Sequence, residues 1–160
     1  MRLIIFFVFF VTSPLFCCPF CPGSPQKEAQ TFYEDELVFG FYPHKPLYEN
    51  HVLVIPQRHV ERLEDLSDEE MTALFHLIQK IHEKVFLPLG LTNYFILQKN
   101  GKSAGQSVPH AHIHMIPVEE NTGSLSTLWR FLIDPLCYPK DALYLAEKTA
   151  FIAEKLHSTK

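Results

Sequence analysis

Residues 105–117 read Gly-Gln-Ser-Val-Pro-His-Ala-His-Ile-His-Met-Ile-Pro, with a histidine at every second position from His110 to His114. Side chains along a β-strand alternate between its two faces. The three histidines are therefore expected on one face of a strand over residues 111–116, and the apolar residues between them on the other. One face of this strand packs in a core, and the opposite face carries the chemistry.

Three interpretations fit this row of histidines. It is the polar, solvent-facing side of a strand, a three-histidine metal centre, or a nucleophilic site at which an imidazole nitrogen attacks phosphorus. A solvent-facing side usually mixes several polar residue types rather than repeating histidine. The preceding loop, residues 100–107, favours the nucleophilic site, because its glycines let the backbone approach a phosphate closely and its polar residues supply donors.

The rest of the sequence predicts one α+β domain. Strands are predicted over residues 36–42, 51–56 and 93–98. Ser67 and Glu70 form a capping box before an apolar helical pattern that ends at residues 88–90, and residues 140–156 form a second helix. Grouped strands around two helices indicate an antiparallel sheet.

Composition limits the size of the fold and the class of partner. The 160 residues are 47% hydrophobic and 20% charged, which suits one core and is too little for two. The net charge of −4 argues against broad electrostatic attraction to nucleic acid. A bound phosphate has to be held by local geometry.

The N-terminus is a separate apolar segment over residues 1–16. One positive charge precedes nine consecutive apolar residues, which is the pattern of a signal peptide, although no small-residue cleavage site follows. The segment predicts export or membrane association, and the alternative is an extended N-terminus on a cytoplasmic protein. The chain is thus expected to be cytoplasmic, or else membrane-associated or exported.

A CxxC pair, Cys18 and Cys21, follows this segment. From the residues alone, the pair fits a disulfide, a redox motif or no function at all.

The histidine strand and its loop resemble the signature of the histidine triad (HIT) family of nucleotide hydrolases and transferases. Segments 104–108 and 110–116 carry the resemblance, and segments 33–38 and 51–56 are similar to the family's upstream segments in order and spacing. The resemblance covers about residues 18–117. It implies a HIT-like α+β fold, with an antiparallel sheet of about five strands and two main helices, in a domain over residues 17–160. It also implies a homodimer.

The resemblance implies a role for each matching residue. His112 falls on the family's nucleophile, which would attack the α-phosphorus of a nucleoside phosphoramidate or dinucleoside polyphosphate and hold the nucleotide covalently until water or another acceptor releases it. His114 would contact the phosphate, and His51 would hydrogen-bond within the triad. The residues expected to bind substrate are Asn100, Gly105, Gln106 and Ser107.

Bacterial members of the family that open with Cys-x-Phe-Cys imply a structural zinc site. Its ligands would be Cys18, Cys21, His59 and His110, and two thiolates with two imidazoles suit a closed tetrahedral zinc. His110 would then belong to the metal rather than to catalysis.

Two departures from the family bear on function. Pro43 stands where many members bind the ribose with Asp or Asn, and proline has no side-chain donor or acceptor. Asn50 stands where glycine is usual, which Asn tolerates if the backbone is left-handed. The leading function is a nucleotide hydrolase or nucleotidyl transferase. The alternative, to which Pro43 adds weight, is a non-catalytic nucleotide- or zinc-binding module with the same fold.

Overall fold

The computed structural model describes residues 18–120 and 138–158 of the chain. Within them, five strands form one antiparallel sheet in the order β1-β2-β3-β5-β4, with helices on one face. The predicted α+β fold, with five strands and two main helices, is confirmed. The elements in chain order are α1 (Pro25–Gln30), β1 (Thr31–Glu34), β2 (Val38–Phe41), β3 (Val52–Pro56), α2 (Asp68–Ile81), β4 (Asn93–Leu97), β5 (Ile113–Val118) and α3 (Ala142–His157).

The predicted membrane association is corrected. Across residues 18–120 and 138–158, no helix combines the length and the apolar character needed to cross a membrane. The segment 1–16, on which that expectation depended, lies outside the described residues. The proposed boundary at residue 17 stays a prediction.

Helix α2 begins as the sequence predicts. The hydroxyl of Ser67 accepts a hydrogen bond from the Glu70 backbone N–H at 3.2 Å, and the Glu70 carboxylate accepts one from the Ser67 N–H at 2.8 Å. The helix continues as a π-helical turn over His82–Phe86 and a 3-10 turn over Leu87–Leu89, and Gly90 then adopts φ 73°. The predicted end at residues 88–90 is confirmed.

Alternate residues of the central strands serve the two faces of the sheet. The face covered by α2 and α3 is built from the side chains of Val52, Val54, Ile113 and Met115, with Leu74, Ile78, Ile81, Ile152 and Leu156 packed over them. A second apolar cluster lies on the opposite face and comprises Phe20, Phe39, Phe41, Leu53 and Ile55. The histidine-bearing face therefore meets a small aromatic cluster rather than the helices.

The histidine strand is shorter at its start than predicted. Its pairing with β3 begins at Ile113 opposite Val54, because the N–H of Ala111 donates instead to the carbonyl of Val60, at 2.6 Å. His112 therefore precedes β5, which corrects its predicted place within a strand over residues 111–116. Ala111 and Ile113, on either side of His112, are buried.

Three further elements differ from the prediction. The strand predicted over residues 36–42 begins only at Val38, because the Asp35 carboxylate accepts the N–H groups of Leu37 and Val38 and turns the chain there. Helix α1 and strand β1 were not predicted, although Ser24 at the N-cap followed by Pro25 is a helix-start signal.

Candidate active site and metal centre

His112 is held with one ring nitrogen committed to the backbone. Its Nδ1 lies 2.7 Å from the carbonyl oxygen of His110. A carbonyl only accepts, so Nδ1 carries the proton and, in the neutral ring, Nε2 carries the lone pair. The side chain is 7% exposed. The backbone thus selects the tautomer that a nucleophilic imidazole needs.

His51 and His114 form a second pair with defined tautomers. The backbone N–H of Leu47 donates to His51 Nδ1 at 3.1 Å, and His51 Nε2 lies 3.0 Å from His114 Nδ1. Because His51 Nδ1 accepts, its Nε2 carries the proton and donates to His114. In neutral His114 the remaining proton is then on Nε2, which is a donor. The His114 ring centroid lies 5.0 Å from that of His112.

Burial keeps this cluster neutral. It lowers the pKa of His51 to about 3, with a contribution from His112, and the pKa of His114 to about 2, with contributions from His51, His112 and Lys99. The pKa of His112 is also lowered, by burial first and then by Lys99, against the opposing hydrogen bond to His110. Neutral imidazoles at pH 7 can attack phosphorus and hydrogen-bond to one another.

The predicted phosphate loop is tied to the segment before α2. The Asn100 side chain accepts from the Leu63 N–H at 2.9 Å and donates to Glu64 at 2.6 Å. Gln106 accepts from the Gly101 N–H at 2.6 Å and donates to the carbonyls of Glu61 and Val108 at 2.9 and 3.0 Å. These two amides hold the shape of the loop rather than pointing at a ligand.

The remaining loop residues present backbone and hydroxyl groups. Gly101 and Gly105 adopt φ 95° and 83°, conformations that favour glycine, and Ser107 is exposed. Of the four predicted substrate-binding residues, Gly105 and Ser107 are the ones placed at an open surface.

The four predicted metal ligands come together. Their ligand atoms all lie within 4.8 Å of one another. Cys18 Sγ is 3.4 Å from His110 Nδ1, and Cys21 Sγ is 3.2 Å from His59 Nδ1 and 3.9 Å from His110 Nδ1. Ligands around a tetrahedral zinc are separated by about 3.3–3.8 Å, given bonds of about 2.3 Å to sulfur and 2.0–2.1 Å to nitrogen. The three sulfur–nitrogen distances lie close to this range, and the full set, which spans up to 4.8 Å, would draw together by about 1 Å around a zinc ion.

The protonation of His110 also fits a metal. Its Nε2 lies 3.0 Å from the carbonyl oxygen of Pro56, so Nε2 carries the proton and Nδ1 faces the thiols with its lone pair. A ligand histidine typically donates its other N–H in this way. Burial lowers the pKa of His110 to about 4, which favours the neutral ring that binds a metal.

Two groups at the site were not predicted. Phe20, between the two cysteines, packs edge-on against His110 at 5.8 Å and tilted against His112 at 5.3 Å between ring centroids. Leu47 acts on His51 through its backbone N–H, which no side-chain pattern marks. The spacing of Cys-x-Phe-Cys is the one available signal for Phe20.

The two departures from the family have defined places in the structure. Asn50 has φ 64°, the left-handed conformation anticipated for it. Pro43 is buried just after β2, and His44 is exposed, with its carbonyl accepting the Lys140 N–H at 2.8 Å.

Comparisons with known proteins agree with this architecture. The HIT domain family matches residues 24–121. The bis(5'-nucleosyl)-tetraphosphatase [asymmetrical] of Schizosaccharomyces pombe is 36% identical over an alignment of 116 residues that covers 63% of this chain and 64% of that protein. The adenosine 5'-monophosphoramidase hnt1 of the same organism is 34% identical over 96 residues, 60% of this chain and 69% of that protein.

A solved structure shows the same fold with a metal. A zinc-bound histidine triad family protein from Mycobacterium smegmatis superposes with a TM-score of 0.59 at 26% identity, over 79% of this chain and 84% of that one.

Proposed function

This chain belongs to the HIT domain family, and from that membership we propose that it hydrolyses or transfers nucleotides by attack of His112 on an α-phosphorus. The names of its relatives confirm the predicted class, a hydrolase acting on phosphoanhydride or phosphoramidate bonds. The observation that carries the proposal for this chain is the 2.7 Å contact of His112 Nδ1 with the His110 carbonyl, which leaves the Nε2 lone pair for attack.

The chemistry proceeds in two displacements. His112 Nε2 forms a bond to the α-phosphorus, and the bond from phosphorus to the leaving oxygen or nitrogen breaks, with the electron pair going to the leaving group. Water or another acceptor then attacks the same phosphorus, loses a proton and releases His112. Splitting one displacement into two lowers each barrier.

The other predicted residues support this step. His114 Nε2–H donates to a phosphoryl oxygen, and His51, oriented by Leu47, holds His114 in that tautomer. Gly105 and Ser107 bind phosphate oxygens through a backbone N–H and a hydroxyl. Asn100 and Gln106 act by shaping the loop.

We also propose that Cys18, Cys21, His59 and His110 bind a structural zinc. When bound, the metal supplies a closed tetrahedral crosslink and no chemistry at phosphorus. The crosslink attaches the N-terminal segment to the sheet, so that Phe20 packs against His112 and the His110 carbonyl keeps its place. The support is the ligand geometry together with the zinc-bound relative.

A homodimer through β4 is part of the proposal. Among the strands of the described residues, β4 is an edge of the sheet, and Phe95 and Ile96 on it are 45% and 46% exposed. An edge strand with exposed apolar side chains is a surface on which a second copy can pair. Pairing of two such edges would extend the sheet across both subunits.

Trapping the covalent intermediate tests the enzyme against the non-catalytic module. Purified protein is mixed with α-labelled dinucleoside tetraphosphate or with labelled adenosine or guanosine phosphoramidate and quenched in base, since phosphohistidine is acid-labile. We expect label on the wild type and none on His112→Ala, with turnover lost at least a thousandfold. His76→Ala, an exposed histidine on α2, is the matched control.

Two results of this experiment would contradict the proposed function. Binding of the nucleotide by the wild type without any turnover would establish the non-catalytic module. Labelling that survives in a folded His112→Ala protein would place the nucleophile elsewhere.

A further inference from the structure

Lys99 follows the end of strand β4 by two residues, and β4 pairs with the strand that carries His114. The register places Phe95 opposite Ile116 and Leu97 opposite His114. The pairing ends there, and the same register extended by two residues along each segment would bring Lys99 opposite His112, on the face of Leu97 and His114. The charge of Lys99 acts on both His112 and His114, which agrees with that position.

The Lys99 side chain also reaches the phosphate loop. A Cβ placed on Gly105 would lie 3.7 Å from Lys99 Cδ, so the aliphatic stem passes beside the glycine backbone. The side chain is half-buried. Lysine commonly packs its stem in this way and extends its charge beyond it. The same charge contributes to the lowered pKa of His114.

The site has a need for such a cation. A phosphate brings negative charge into the surroundings of His112, which is 7% exposed, and an uncompensated charge there is costly. The nearby Arg62 is paired with Glu64. A lysine beside the loop and opposite His112 can offset the charge of the phosphoryl group.

We infer that the Lys99 ammonium binds the phosphoryl group that His112 attacks, and that it is a further substrate-binding residue of this site. The inference rests on the proposed function. It assigns to the site an anionic ligand, a nucleoside 5'-phosphate group, and it gives Lys99 a role distinct from that of Lys102, which is exposed on the 3-10 turn of the same loop.

Calorimetric binding of AMP and GMP to the full chain tests this role without requiring turnover. We expect Lys99→Met and Lys99→Gln to weaken nucleotide binding about ten- to a hundredfold, the effect of losing a charged hydrogen bond. Lys99→Arg should retain most of the affinity. Lys102→Met removes the same charge from the same loop and should change the affinity less than about twofold. Thermal melts show that each variant is folded.

The outcomes separate the two proposals. Equal affinity of wild type and Lys99→Met for a nucleotide overturns the inference and leaves the proposed function standing. Equal losses of nucleotide affinity in Lys99→Met and Lys102→Met also overturn it. The loss would then reflect the net positive charge of the loop and not a contact of Lys99 with the phosphoryl group. A wild type that binds neither nucleotide contradicts the proposed function, and the inference with it.

Discussion

His51 and His114 share one proton across 3.0 Å, between Nε2 of the first ring and Nδ1 of the second. The Leu47 N–H, which donates to the other nitrogen of His51, determines the direction of that bond. The backbone N–H of Leu47 thus determines the tautomer of His114 through the intervening ring of His51.

Replacing His51 should expose the importance of this chain of hydrogen bonds. His51→Leu leaves His114 Nδ1 without its donor and the buried Leu47 N–H without its acceptor. We expect kcat/KM to fall about ten- to a hundredfold and stability to fall by about 1–3 kcal/mol. Steady-state kinetics and urea unfolding provide the measurements. His51→Gln, which keeps a donor and an acceptor, should recover part of both, and no recovery would argue against the hydrogen-bond role.

Stability should fall as the pH is lowered below about 6.5. The pKa of His51 is about 3 in the folded protein and that of His114 about 2, both lowered mainly by burial from 6.5. Below pH 6.5, His51 and His114 become protonated in the unfolded chain but stay neutral in the folded protein. The free energy of unfolding therefore decreases as the pH falls, until the pH reaches the pKa values of the folded protein.

The variant His51→Gln measures the contribution of His51 to the pH dependence of stability. Each histidine that is protonated only in the unfolded chain adds up to about 1.4 kcal/mol per pH unit to the slope of the free energy of unfolding against pH. His51→Gln should reduce the slope between pH 6.5 and 5 by about that amount, whereas the exposed-site variant His76→Gln should leave it unchanged. Urea titrations at half-unit pH steps measure the slope. An identical slope in wild type and His51→Gln would contradict the depressed pKa.

Metal removal should loosen the N-terminal segment and impair His112 together. Elemental analysis should find about one zinc per chain, and strong chelation should lower Tm by about 5–10 °C. Cys21→Ser should behave like the chelated protein, and zinc should restore the wild type but not this variant. Pure reduced protein that contains no zinc and takes none up would refute the site, leaving the thiols to a disulfide or redox role.

The backbone at Asn50 gives a test of local strain. Because φ is 64° there, Asn50→Gly should change stability by no more than about 0.5 kcal/mol, whereas Asn50→Val should cost about 1–3 kcal/mol. Urea unfolding measures both. The valine variant should also lose activity, since His51 is the next residue. A valine variant as stable as the wild type would show that the turn relaxes freely.

The β4 edge should control the oligomeric state. Light scattering after size exclusion should give twice the chain mass of 18.5 kDa, and Ile96→Lys should give one chain mass. Leu143→Lys, at an apolar residue of α3 that is 70% exposed, is the control and should stay dimeric. A dimer that persists in Ile96→Lys would locate the interface away from β4.

Much of the site was predictable because its residues are contiguous in the sequence. The spacing of two residues between histidines predicts that His110, His112 and His114 form one site. The capping box of Ser67 and Glu70 predicts the start of α2. The four metal ligands were predicted from a family resemblance, since Cys18 and His110 are far apart in the chain. The tautomers were not predictable, because they depend on the carbonyls of His110 and Pro56, which carry no residue-specific signal.

Other features depend on tertiary contacts. The role of Lys99 becomes visible only once Leu97 is known to pair with His114, since one residue of slippage would turn Lys99 to the other face. Asn100 looks like a ligand-binding residue in the sequence, yet both ends of its amide bind Leu63 and Glu64. A loop amide and a substrate-binding amide have the same composition and differ only in their neighbours.

The contact between Cys18 and His110 also has a consequence for synthesis. The two residues are 92 positions apart, so both thiols leave the ribosome well before the second imidazole does. On the proposed zinc site, the four ligands can meet only after β3 and β5 have paired. Both thiols then have to stay reduced from their synthesis until that pairing, which a reducing environment provides.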